Sequence, residues 1–90
     1  ALTDLLKQVK TAIDSPTAGL DEKHKNRALK YLAELGKIGG ESDRTPDLLE
    51  KADEALENLE GVIKKGTGLV EFAEKHLPTF TATVRGVLGI

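Results

Sequence analysis

Ninety residues support one small hydrophobic core and leave little room to enclose a deep active site. With 13 basic and 15 acidic side chains and a net charge of −2, the chain carries no general attraction for nucleic acid. It has no cysteine, which excludes a disulfide framework, a thiolate metal site and a thiol nucleophile.

The apolar residues are almost all aliphatic, and the aromatic ones are Tyr31, Phe72 and Phe80. Leu, Ala, Lys and Glu dominate, which is helix composition and predicts an all-α domain. No stretch approaches the ~20 apolar residues of a membrane span. No signal peptide is recognisable, which points to the cytoplasm. The chain starts at Ala1 and contains no methionine, as expected of a domain cut from a longer chain or of a processed product.

The first segment, "LTDLLKQVKTAID", places Leu2, Leu5, Leu6, Val9, Ala12 and Ile13 at the three-and-four spacing of a helix, with Lys7, Gln8 and Lys10 opposite. "DSPTAG" ends it, because Pro16 biases Ser15 away from helical angles. A second helix is expected from residue 21 to about 38, with the stripe Ala28, Tyr31, Leu32, Leu35 and Ile38. Asp21 and Glu22 suit its positive end, and Gly39 and Gly40 should stop it.

Thr45 as N-cap and Pro46 at the first helical position open a third helix. Its stripe is Leu48, Leu49, Ala52, Ala55, Leu56, Leu59, Val62 and Ile63. The same phase continues through Gly66, Leu69, Val70, Ala73 and Leu77. A long third helix over residues 46–76, bent at "GTG", is therefore expected. "KKGTG" does not read as a phosphate-binding loop: no strand precedes it, and its lysines come before the glycines. Pro78 starts a short, apolar last helix, giving a bundle of about four. Leu6, Val9, Ile13, Leu32, Leu35, Leu56, Leu59 and Ile63 are the expected deep core.

Residues 41–60 hold eight acidic side chains opposed only by Arg44 and Lys51. Glu50, Asp53, Glu54, Glu57 and Glu60 lie opposite the apolar stripe and read as a solvated helix face. His24 and His76 fall in neither of the helical spacings that aim two ligands at one metal, so no metal site is expected. Ser15 and Ser42 have no histidine close in sequence, and no catalytic residue, cofactor or small-molecule substrate is indicated. The most basic stretch, with Lys23, Lys25, Arg27 and Lys30, is diluted by acidic neighbours, and the helix after it would repel phosphate.

The segments "LLKQVKTAID", "LDEKHKNRALKYLAELGKI" and "GLVEFAEKHLPTFTATVRGVLGI" resemble small all-helical modules at the C-termini of bacterial multidomain proteins of unassigned function. That resemblance implies an accessory role and carries over no catalytic residue.

The tail is the most informative part. From residue 77 onward only Arg85 is charged, and so apolar an end must be covered by its own core, another chain or lipid. The expected function is a non-enzymatic interaction or oligomerisation module. Phe80, Val84, Val87, Leu88 and Ile90 are its expected contact surface, and a second copy or another protein domain its partner. The alternative is a peripheral membrane-associating domain, which the single arginine and several threonines of the tail disfavour.

Overall fold

The computed structural model describes residues 2–43 and 45–90, and they form an all-helical domain. In order these are α1 (Leu2–Asp14), α2 (Glu22–Gly40), α3 (Pro46–Lys65), a 3₁₀ turn (Thr67–Leu69), α4 (Val70–Lys75) and α5 (Leu77–Leu88). The expected bundle of about four helices is thus five α-helices among the described residues.

The helix starts follow from local chemistry. Asp21 caps α2 by accepting the backbone N–H of His24, and Thr45 caps α3 by accepting that of Leu48. Pro46 takes the first position of α3, where its missing N–H leaves nothing unpaired. The pair Gly39 and Gly40 belongs to the last turn of α2 rather than ending it; Glu41 turns extended and its N–H closes on Ile38.

The α2–α3 pair forms the centre, with α1 packed on α2 and α5 against both α1 and α3. Their apolar stripes meet in one core: Val9 and Ile13 from α1, Leu32 and Leu35 from α2, Leu56, Leu59 and Ile63 from α3, Phe80 and Val84 from α5. Of the expected deep core only Leu6 differs. It is half-buried at the edge of the α1–α2 seam, beside Gly36. No polar side chain is buried among the described residues.

The expected long third helix over residues 46–76 is not formed. α3 stops at Lys65, where Gly66 turns extended at φ −75°, ψ 116°. The cause lies in the α1–α2 loop. The Gly68 N–H donates to the carbonyl oxygen of Ala18 at 2.9 Å. A side chain on Gly68 would fall on the Thr17 carbonyl, and one on Gly66 would lie 2.8 Å from that of Ala18. Gly19 completes the seat: its φ of +75° suits glycine, and a side chain there would strike Thr67. Loop packing, invisible to periodicity, breaks a helix whose apolar stripe stays in phase.

Candidate functional site

The tail helix α5 is amphipathic. Leu77, Phe80, Val84 and Leu88 point inward and are buried. Three of the five residues expected at a contact surface, Phe80, Val84 and Leu88, are therefore covered by the chain's own core. Val87 is 44% exposed and Ile90 is half-buried.

The exposed side of α5 is formed by Pro78, Thr79, Ala82, Thr83, Gly86 and Val87. None is charged. Arg85 projects from the flank of the helix and donates from Nη1 to Oδ1 of Asp53 on α3, at 2.6 Å. The single charge of the tail is thereby held against α3. Nothing lies within 4 Å of the position a side chain on Gly86 would take, so a second backbone has room to approach. Ala82 (an apolar residue of the tail), Thr83 and Gly86 are not among the residues expected at the contact surface. Placing Leu77, Phe80, Val84 and Leu88 on one face of a wheel puts Ala82 and Gly86 on the opposite one, and this is the signal that finds them.

A second feature is an open groove of about 400 Å³ between α2 and α3. Ile38 and Ala55 form its apolar floor, and Glu34, Lys37, Lys51 and Glu54 stand on its rim. The rim mixes both signs of charge and converges on no single point.

The other candidates are accounted for locally. Ser15 Oγ is 2.9 Å from Thr17 Oγ1 and accepts the Thr17 N–H, which makes it a turn-forming residue. His24 Nδ1 lies 2.7 Å from Asp21 Oδ1, and His76 stacks tilted on Phe72 with ring centres 5.4 Å apart. Of the acidic residues on α3, Asp53 is engaged by Arg85, while Glu50, Glu54 and Glu57 are exposed. Among the described residues, no three His, Asp or Glu side chains are grouped to hold a metal ion. None of the described helices is long and apolar enough to cross a membrane.

These features define a small all-helical domain with an apolar core and one uncharged helix side at its surface. Compared with known protein families, characterised proteins and solved structures, the chain has no match.

Proposed function

We propose that the domain is a non-enzymatic interaction module that self-associates through the exposed side of α5. The observation that carries this reading is the absence of charge from Thr79, Ala82, Thr83, Gly86 and Val87. The other helices expose charged residues: Lys7 and Lys10 on α1, Glu22 and Lys30 on α2, Glu50 and Glu57 on α3, Glu71 and Glu74 on α4. Covering the exposed side of α5 removes no ion from water, whereas covering any of those would. A second copy offers the same uncharged strip, so a two-fold pairing is self-complementary and free of like-charge repulsion. The small residues Ala82 and Gly86 let the two helices approach closely. A lipid surface fits less well, because amphipathic membrane helices flank their apolar face with Lys or Arg.

Sedimentation velocity at tens of micromolar tests the reading. The wild type is expected to be a dimer. Ala82→Glu and Thr83→Glu, both at exposed positions, should give a monomer that keeps its helical circular dichroism and whose melting temperature no longer depends on concentration. A monomeric wild type refutes self-association. Flotation of the wild type with neutral phospholipid vesicles, lost in the glutamate variants, would assign the same surface to lipid instead.

A further inference from the structure

The segment at residues 66–69 has two compatible backbones. In the observed one, Gly66 is extended, α4 folds back, and loop 15–19 sits on the glycines. In the other, α3 runs on as one helix through Lys75. Four observations support the second form. The apolar stripe of α3 continues in register through Leu69, Val70 and Ala73. Gly66 has negative φ, and Gly68 is not among the glycines with positive φ, so neither needs a left-handed backbone. None of the six residues of α4 is fully buried, and only Phe72 and Ala73 pack partly against the core, so α4 is the least anchored helix among the described residues. Val70, on the continuing stripe, is 53% exposed in the folded-back form.

We infer that residues 66–69 are a hinge through which two copies of this chain exchange α4 and α5. Straightening carries the start of α5 away from its own core at a rise of ~1.5 Å for each helical residue. Leu77, Phe80, Val84 and Leu88 then leave their sites against α1 and α3. A second straightened copy has the same sites empty, and each tail fills the other's. The contacts of α5 are preserved in kind, so the exchange costs mainly the seat of loop 15–19, the packing of the buried Leu69 within the hinge and the entropy of association. This is independent of the exposed side of α5, which faces outward in either form. The glycines set the balance: in the folded-back form a side chain at Gly68 collides with Thr17, whereas in a helix it is favoured.

The absence of cysteine allows a direct test. Asp53→Cys with Arg85→Cys places one thiol on α3 and one on α5, at positions joined in the observed fold. After refolding at high concentration, a short bis-maleimide should link them mainly within one chain in the otherwise wild-type protein. Adding Gly68→Ala should raise the fraction of links between chains at least about fivefold, the equivalent of ~1 kcal/mol of helix propensity. A Gly68→Ala protein that links only within the chain overturns the proposal. So does one that loses its helical circular dichroism without forming dimer. Adding Thr67→Pro to Gly68→Ala must abolish the linked dimer, since proline blocks a continuous helix. A dimer that survives it also overturns the hinge. Ala82→Glu should leave the exchanged dimer intact, which separates this test from that of the α5 surface.

Discussion

Arg85 and Asp53, 32 residues apart in sequence, meet at 2.6 Å and join the tail helix to the middle of α3. Their side chains keep 36% and 41% of their exposure, so water screens the pair. Its coupling in a double-mutant cycle with Arg85→Ala and Asp53→Ala should be below about 1 kcal/mol and should shrink as salt is raised. Urea unfolding of the four proteins at low and high salt measures this. A coupling of several kilocalories, insensitive to salt, would mean that the pair holds α5 in place rather than merely orienting Arg85.

The core carries far more. Leu56 and Leu59 are fully buried on α3. Truncation of either to alanine removes transfer energy and leaves a cavity, costing about 2–5 kcal/mol. Against the ~5–15 kcal/mol typical of a whole domain, that is a large share. A loss below about half a kilocalorie at both sites would contradict their place in the core.

The parts legible in the sequence are those set by local chemistry and periodicity. Thr45 with Pro46 marks the start of α3, Pro16 lies just past the end of α1, and the stripes of α1, α2 and α3 locate the core. The break at Gly66 was not legible, because its cause is the carbonyl groups of Thr17 and Ala18 arriving from a loop some 50 residues earlier. The stripe alone cannot distinguish a straight helix from a folded-back one when both keep Leu69 and Leu77 apolar. The exposed side of α5 was only partly legible for a related reason. An apolar tail must be covered, yet composition does not say that Phe80, Val84 and Leu88 find their cover inside the chain while Val87 stays outside.

Gly61 offers a contrast with Gly66 and Gly68. It lies inside α3, exposed, with nothing within 4 Å of the position a side chain would take. Gly61→Ala gains helix propensity and meets no neighbour, so it should stabilise by about 0.5–1 kcal/mol. For a domain of this size that is a rise of several degrees in melting temperature, on the order of 4–8 °C per kilocalorie. Differential scanning calorimetry checks the sign. A lower melting temperature would show that this face of α3 is covered in solution, which would draw attention from α5 to α3 as an interface.

The last prediction concerns pH and the start of α2. The carboxyl of Asp21 is held below the usual aspartate range, first by the backbone N–H of His24 and then by the His24 ring. An ionised carboxylate only accepts hydrogen bonds, so both groups donate to it. The folded carboxyl binds its proton less readily than the unfolded one does. Its stabilising contribution is therefore fully present above the unfolded value, near 4, and is lost as the pH falls through the lower folded value. Asp21→Asn keeps a capping oxygen of similar quality and removes the titration. The other carboxylates titrate in both proteins, so the difference between the two isolates position 21. At neutral pH the aspartate protein should be the more stable, because a negative charge at a helix N-terminus is favoured. The gap should close as the pH falls below about 4, the side of the ordinary carboxylate range toward which the shift points. Urea midpoints at a series of pH values follow it. Parallel curves for the two proteins through that window would show that the His24 contacts do not distinguish the folded from the unfolded carboxylate.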